Sequence, residues 1–167
     1  MTDNLRTNRE HAGPPPEAAN LGIARPPLVY LGSIGLGVIL HFAWPVPLLP
    51  GSPSPGFGAG LVLLAVGLFV FAVRTFRGAG TPVPGNRPTT AIVRTGPYRF
   101  SRNPIYLAFS LLQLGIALWV NSAWLLLTLL AAVAVMSLVV IPREERYLEA
   151  RFSSDYPAYK ASVRRWL

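Results

Sequence analysis

The chain has 167 residues, enough for one domain; 51% of them are hydrophobic, only 13% are charged, and the formal net charge is +8. Soluble domains average about 25% charged residues, and here two long segments, 26–73 and 103–142, contain no Asp, Glu, Lys or Arg. A soluble domain of this size would have too few polar residues to cover both segments, so the composition indicates an integral membrane protein. The absence of cysteine excludes disulfides, cysteine-ligated metals and thiol nucleophiles.

Residues 1–25 are polar, contain a run of prolines and carry charges of both signs. This composition predicts a disordered cytoplasmic leader. We see no short apolar run followed by a small-residue cleavage site, so we do not expect a signal peptide. The membrane domain is expected to comprise residues 26–167.

The two uncharged segments predict the transmembrane helices. A helix needs about 20 apolar residues to cross the hydrocarbon core, so each segment accommodates two spans. The predicted fold is therefore all-α, an integral membrane bundle of about four transmembrane helices followed by short C-terminal amphipathic helices. The expected spans cover, in chain order, about residues 27–44, 57–76, 104–120 and 123–141.

Prolines and small polar residues mark where these helices begin and end. Pro104 suits a first helical position, because its missing N–H would be unpaired there in any residue. Asn121-Ser122 is the only connection between the third and fourth spans, and Pro142 is expected to bend or stop the fourth helix. The tail, residues 143–167, is expected to form two short helices that are split around 153–157.

Basic residues are concentrated in the long loop 78–103 and in the tail 143–167, whereas the proline-rich loop and the Asn121-Ser122 turn contain none. Since positively charged loops stay in the cytoplasm, we expect both termini and the basic loop to be cytoplasmic, in a bacterial inner membrane. The basic residues flank apolar spans, so we expect membrane lipids and no nucleic acid as partners.

Two polar clusters meet at the cytoplasmic end of the predicted hairpin. Spans three and four pack antiparallel because the turn between them is short, which places Arg102 and Asn103 next to Glu144 and Glu145. One interpretation is an interfacial salt bridge that pins the hairpin. The other is a binding site, because two adjacent acids exceed what one anchor needs and a helix N-terminus attracts anions. Tyrosines that could stack on a flat ring or enclose a cation stand at positions 98, 106, 147, 156 and 159.

Motifs for phosphate loops, metalloproteases and serine hydrolases are absent, and His11 and His41 lie far from both clusters. We therefore expect no metal site. The available Arg, Glu, Tyr and Asn side chains can orient a charged cofactor and a substrate, but they include no strong nucleophile. This set favours direct transfer between two bound molecules over covalent catalysis.

At these residues the chain resembles the isoprenylcysteine carboxyl methyltransferase and phospholipid methyltransferase group of membrane enzymes. The resemblance covers about residues 78–167 and includes a Gly-Thr-x-Pro-like segment at 80–84. It is specific to the superfamily and does not identify the substrate. The matching blocks are Gly96-Pro97-Tyr98-Arg99, Arg102-Asn103-Pro104-Ile105-Tyr106, Glu144-Glu145-Arg146-Tyr147-Leu148 and Tyr156-Pro157-Ala158-Tyr159.

The resemblance implies S-adenosylmethionine as the cofactor, in a cytoplasmic pocket built from the hairpin ends and the tail. It also implies a lipophilic or membrane-associated acceptor, either a carboxylate or an amine. Asn103 replaces the His of many relatives and cannot titrate near neutral pH. The expected catalytic residues are Arg102, Glu144 and Glu145. The expected cofactor-binding residues are Gly96, Pro97, Tyr98, Arg99, Arg102, Asn103, Tyr106, Glu144, Glu145 and Tyr159.

Two alternative functions fit the same composition. Some sterol-type reductases share a similar C-terminal architecture, so a membrane reductase that uses NADPH is one alternative. A non-enzymatic membrane scaffold, with the charge pair as an anchor, is the other. The sequence leaves open the acceptor, the atom that is methylated and the oligomeric state.

Overall fold

The computed structural model describes residues 25–51, 55–80 and 91–167. These residues form an all-helical fold in which one isolated bridge, between Pro47 and Ser122, is the only β-type pairing. The helices are α1 Pro26–Ala43, α2 Pro55–Gly78, α3 Pro104–Trp119, α4 Ala123–Val135, α5 Ile141–Phe152 and α6 Asp155–Ser162. A 3₁₀ turn, Gly96–Arg99, precedes α3, and a π-helical turn, Met136–Val140, joins α4 to α5. The predicted leader up to residue 24, and the part of the Gly-Thr-x-Pro-like segment beyond residue 80, lie outside the described residues.

Prolines stand in the first turn of most of these helices, although the chain is already helical before α5. The first turns of α1, α3 and α5 contain a proline, and α2 begins at Pro55. Proline stabilises this position because its fixed φ angle is already helical and its missing N–H has no helical partner there. The start of α4 is different, since the Ser122 hydroxyl accepts a hydrogen bond from the Leu125 N–H at 3.4 Å.

Three helices are long and apolar enough to cross a membrane: α1, α2 and the continuous helix Ala123–Phe152. The predicted all-helical bundle with membrane-spanning helices is therefore confirmed. The third predicted span is shorter than the other three. With 16 residues and a rise of about 1.5 Å per residue, α3 is about 24 Å long, less than the roughly 30 Å of a hydrocarbon core.

The sequence predicts that Pro142 bends or stops the fourth helix. The prediction of a stop is wrong, because the chain remains helical from Ala123 to Phe152. A change of hydrogen-bond register precedes the proline instead: the Ile141 N–H donates to the Met136 carbonyl, five residues back. Continuing that register would require an N–H from Pro142, which has none, so the Ser137 carbonyl loses its helical donor.

The two predicted tail helices are present as α5 and α6. The break between them is narrower than expected, because it is confined to Ser153 and Ser154, and Pro157 lies inside α6. Ser153 turns the chain with a φ of 39°, in the left-handed region. This sharp turn lets α6 fold back towards the end of the hairpin.

Close packing of α2 against α3 supports the hairpin. Gly58, Ala65 and Ala72 recur every seventh residue on the buried face of α2, so the backbones approach closely. A Cβ atom added to Gly58 would lie 2.6 Å from the Trp119 backbone nitrogen. Gly60, on the same helix, faces open space.

A buried glutamine joins three helices within the apolar bundle. The Gln113 side chain on α3 is fully buried; its Oε1 accepts from the Ser33 hydroxyl at 2.7 Å. Its Nε2 donates to the Thr128 hydroxyl at 3.1 Å and to the Leu125 carbonyl at 3.2 Å. Because a buried amide without partners is costly, these bonds fix α1 and α4 against α3.

The predicted turn at Asn121-Ser122 is tied to the proline-rich loop. Asn121 has a φ of 52°, and its side chain accepts from the Leu48 and Leu49 N–H groups at 3.1 and 2.9 Å. Its Nδ2 donates to the carbonyls of Leu49 and Gly51 at 3.1 and 3.0 Å. These bonds close the hairpin at the end opposite the polar clusters.

Replacing Gly58 with Ala is expected to lower the free energy of unfolding by about 1–3 kcal/mol, because the new methyl group meets backbone that cannot move aside cheaply. The matched control, Gly60→Ala, is expected to change it by at most about 1 kcal/mol, and in the stabilising direction. Unfolding in detergent, followed by circular dichroism, measures both. Equal losses in the two variants would contradict the close approach of α2 and α3.

Candidate active site

The 3₁₀ turn before α3 requires its glycine. Gly96 has a φ of +57°, and a Cβ atom there would lie 2.8 Å from the Thr75 hydroxyl of α2. Tyr98, in the same turn, packs its ring edge-on against Phe76, with centroids 5.0 Å apart. The Tyr98 carbonyl accepts a hydrogen bond from the Tyr159 hydroxyl at 2.8 Å. The turn is thus held between the end of α2 and α6.

The start of α3 meets α5, as the short interhelical turn predicts. Arg102 Nη1 lies 3.0 Å from Glu145 Oε1. One turn into α3, the Tyr106 hydroxyl lies 2.7 and 2.9 Å from the two carboxylate oxygens of Glu144. Adjacent acids on α5 therefore contact different groups of the hairpin.

Glu145 is neutralised by three basic side chains. Its carboxylate is only 6% exposed and is approached by Arg102, by Lys160 Nζ at 3.4 Å and by Arg165 Nη2 at 2.9 Å. Arg165 also places its Nε 3.2 Å from the second oxygen, so the guanidinium spans both carboxylate oxygens. The three cations come from the start of α3, from α6 and from the segment that follows α6.

Glu144 has no such compensation. Among the described residues, no Lys, Arg or His lies within ion-pair distance of its carboxylate, and its side-chain hydrogen bonds go to Tyr106 alone. A carboxylate held by a neutral phenol beside apolar helices attracts a cation or a hydroxyl donor. Glu144 is therefore the acid that remains available to a ligand.

Buried donors without a hydrogen-bond partner in the described part of the chain occur on α5 and on the segment before α3. Arg102 is 9% exposed, yet neither its Nε nor its Nη1 has a hydrogen-bond partner in the described part of the chain, although Nη1 lies at ion-pair distance from Glu145. The buried hydroxyls of Tyr98 and Tyr147 also lack partners there. Such groups are rare in proteins, because leaving one unpaired costs about 1–3 kcal/mol or more. They are the groups expected of a site that receives a polar ligand.

Two tyrosines of α6 keep their protons at neutral pH. Burial and, to a smaller extent, Glu145 raise the pKa of Tyr156 to about 12, and Arg102 opposes the shift. Burial raises the pKa of Tyr159 to about 12 as well, with a smaller contribution from Tyr156. Arg94 lies over the Tyr159 ring, 5.9 Å from its centroid. Both hydroxyls therefore remain neutral hydrogen-bond donors, and the charges of the site belong to Arg, Lys and Glu.

The segment after α6, residues 163–167, lies across the end of the hairpin; we call it the strap. The Arg102 N–H donates to the Arg164 carbonyl at 3.0 Å. The Asn103 side chain donates to the Arg165 carbonyl at 3.0 Å. The backbone of the strap is thus fixed beside the residues that open α3.

Side chains of the strap bind the π-helical turn. Arg165 Nη1 donates to the Ser137 carbonyl at 3.3 Å, and the Trp166 indole N–H lies 3.2 Å from the Ser137 hydroxyl. The Ser137 carbonyl is the one that Pro142 leaves without a helical donor. Arg165 therefore satisfies an acceptor that the sequence of α5 exposes.

The structure sorts the sequence-predicted site residues into three groups. Those that meet at the end of the hairpin are Arg102, Tyr106, Glu144 and Glu145. Those that form the supporting turn and its contact with α6 are Gly96, Pro97, Tyr98 and Tyr159. Asn103 turns its side chain to the strap, and Arg99 is exposed, with no side-chain bond among the described residues. Their proposed roles in binding remain predictions.

Sequence reasoning missed Lys160 and Arg165, the other two cations of Glu145. Lys160 directly follows the Tyr156–Tyr159 block, which was a usable signal. Arg165 offered none, because one arginine in a charged tail resembles its neighbours until the tail is folded. No group of three or more His, Cys, Asp or Glu that could hold a metal occurs in residues 25–51, 55–80 and 91–167.

The fold and the site define a membrane-type helical bundle with a charged site built from helix ends and a folded-back tail. The sequence model of the phospholipid methyltransferase family matches residues 55–155, more than half of the chain, so the chain belongs to this family. A protein of Haemophilus influenzae (strain ATCC 51907 / DSM 11121 / KW20 / Rd), described as "Uncharacterized protein", is 38% identical over 63 residues, which are 38% of this chain and 100% of that protein. No solved structure gives a significant match.

Replacing Glu145 with Ala is expected to lower the free energy of unfolding by about 3–5 kcal/mol, because it leaves a cluster of cations without its buried anion. Glu149 is the matched control: it is 38% exposed and pairs with Lys160 at 2.9 Å, so Glu149→Ala is expected to cost about 0–1 kcal/mol. Urea unfolding in a mild detergent compares the two. Similar losses would show that Glu145 is an ordinary surface partner.

Proposed function

We propose that the protein transfers a methyl group from S-adenosylmethionine to a lipophilic or membrane-associated acceptor, a carboxylate or an amine, at the cytoplasmic face of a bacterial inner membrane. Family membership supports methyl transfer. The observation that carries the cofactor is Glu144, which has no cation among the described residues and directly precedes Glu145, the partner of Arg102. The buried Nε of Arg102 has no hydrogen-bond partner among those residues either. Glu144 can accept a cation, and the Nε–H of Arg102 can donate to a further acceptor.

The residues present fit this cofactor, which combines a carboxylate, an ammonium, a sulfonium and a flat adenine ring. Arg102 is placed to hold the carboxylate, since a guanidinium matches carboxylate geometry. Glu144 is placed to hold a cationic or hydroxyl part, with Tyr106 fixing its orientation. Tyr98 and Tyr159 are buried and support the turn that precedes Arg102.

When bound, S-adenosylmethionine supplies a methyl carbon that is already activated by the positive sulfur, so the reaction requires no metal. Arg102 and Glu144 would hold the cofactor so that its methyl group is presented to the acceptor. The chain contributes orientation and exclusion of water, which bring the reacting atoms to about 3–3.5 Å. A lipophilic acceptor can approach from the bilayer, because the site lies at the ends of membrane helices.

The charge distribution supports the cytoplasmic orientation. Arg74 and Arg77 end α2, and Arg94 and Arg99 precede α3, on the same side as the site. The opposite ends of the helices, including the Asn121-Ser122 turn, carry no charged residue. Positively charged residues of short loops stay cytoplasmic.

Titration of the purified protein with S-adenosylmethionine by calorimetry is expected to show binding, and Arg102→Ala is expected to raise Kd by about tenfold or more. A charge-assisted hydrogen bond contributes about 1.5–3 kcal/mol, and it would be lost with the guanidinium. The matched control is Arg77→Ala, which removes an exposed arginine at the end of α2 on the same side of the bundle and is expected to leave Kd unchanged.

Absence of binding by the wild-type protein, together with binding of NADPH, would favour the reductase alternative instead. Absence of binding of both would favour a scaffold. Equal Kd values for wild type and Arg102→Ala would overturn the role of Arg102 while leaving the cofactor in place.

Transfer of radiolabelled methyl groups into a membrane lipid extract is expected for wild type and is expected to fall about tenfold or more in Glu144→Gln. The substitution keeps the size of the side chain but removes the charge that would hold a cation. Glu149→Gln, a nearby exposed acid, is the control and is expected to retain activity. Separate assays with amine lipids and with carboxylate lipids identify the acceptor, and full activity of Glu144→Gln would overturn the role of Glu144.

A further inference from the structure

Arg165 pairs with Glu145 and belongs to none of the sequence blocks that carry the family resemblance. Its guanidinium spans both oxygens of Glu145, with Nε 3.2 Å from Oε1 and Nη2 2.9 Å from Oε2. Arg102 faces the same carboxylate with one nitrogen at 3.0 Å but forms no hydrogen bond through that nitrogen or through Nε. Two arginines thus compete for one carboxylate, and Arg165 holds the two-point geometry.

The position of Arg165 is fixed independently of Glu145. Its Nη1 donates to the Ser137 carbonyl at 3.3 Å, and that carbonyl lacks a helical donor because Pro142 has no N–H. Its own carbonyl accepts from the Asn103 side chain at 3.0 Å. Contacts other than Glu145 therefore hold both the side chain and the backbone of Arg165 in place.

We propose that Arg165 is a positioning residue that keeps Arg102 available to the carboxylate of the cofactor by occupying both oxygens of Glu145. Without Arg165, only Arg102 at 3.0 Å and Lys160 at 3.4 Å would face the two oxygens of Glu145. The Nε of Arg102 has no hydrogen-bond partner among the described residues, so this guanidinium has a donor left for a second contact. Arg102 would then turn its fork onto Glu145, since fork-to-fork pairing is the favoured arrangement of these groups. Arg102 would then have fewer donors left for the carboxylate of the cofactor.

This inference rests on the proposed function, and a change of ligand tests it separately. Decarboxylated S-adenosylmethionine keeps the sulfonium, the ammonium and the adenine ring but lacks the carboxylate that Arg102 would bind. The ratio of its Kd to the Kd of S-adenosylmethionine therefore reports the use of the carboxylate. A partly unfolded variant changes both Kd values by the same factor, so the ratio is insensitive to a general loss of structure.

Calorimetric titration of the full chain in detergent is expected to give a ratio of about ten or more for wild type. Arg165→Gln is expected to bring the ratio close to one, as Arg102→Ala does, and Arg165→Lys is expected to give an intermediate value because its ammonium cannot span two oxygens. The matched control is Arg164→Gln. Its side chain makes no hydrogen bond or ion pair with the described residues, so it removes the same charge from the same strap and is expected to keep the wild-type ratio.

The outcomes separate this inference from the proposed function. A wild-type protein that binds neither ligand would overturn both. A wild-type ratio of ten that persists in Arg165→Gln would overturn the role of Arg165 alone. If the ratio falls equally in Arg164→Gln and Arg165→Gln, the cause is the total charge of the strap, and the specific role of Arg165 is overturned.

Discussion

The carboxylate of Glu145 is buried at the end of a membrane hairpin, and three cations from separate segments approach it. Moving a carboxylate out of water costs several kcal/mol, and the cost is offset only where cations and hydrogen bonds are well placed. Arg102, Lys160 and Arg165 meet this requirement only if the start of α3, α6 and the strap all assemble against α5. One buried charge thus dictates how the tail folds back, and with it the surroundings of Glu144.

The π-helical turn determines which acid takes which role. Successive residues on a helix point about 100° apart. Glu144 and Glu145 therefore face different neighbours however α5 is rotated about its own axis. The extra residue at Met136–Val140 rotates everything that follows it. In the resulting phase Glu145 faces the strap and Arg102, while Glu144 faces Tyr106. The same turn frees the Ser137 carbonyl that Arg165 occupies, so one irregularity sets both the direction of the acids and the anchor of the strap.

Much of the fold follows from the sequence because the constraints are local or topological. Uncharged segments of sufficient length must be helices in a bilayer, prolines mark their starts, and the Asn121-Ser122 turn forces Arg102 towards Glu145. The continuation through Pro142 could not be predicted, because a register shift upstream removes the clash that ends most helices at proline. The contacts of Arg165 could not be predicted either. They depend on a tertiary contact with a carbonyl that only the folded helix leaves unpaired.

A site made of helix ends must separate opposite charges over a short distance, without the sheet and glycine-rich loop that position nucleotides in many enzymes. Adjacent acids on one helix achieve this separation only if one of them is neutralised from within the protein. If Glu144 and Glu145 were both open, their repulsion would favour protonation of one of them. If both were paired, no group would remain to receive a cation. Three cations on Glu145 and only a phenol on Glu144 avoid both outcomes among the described residues.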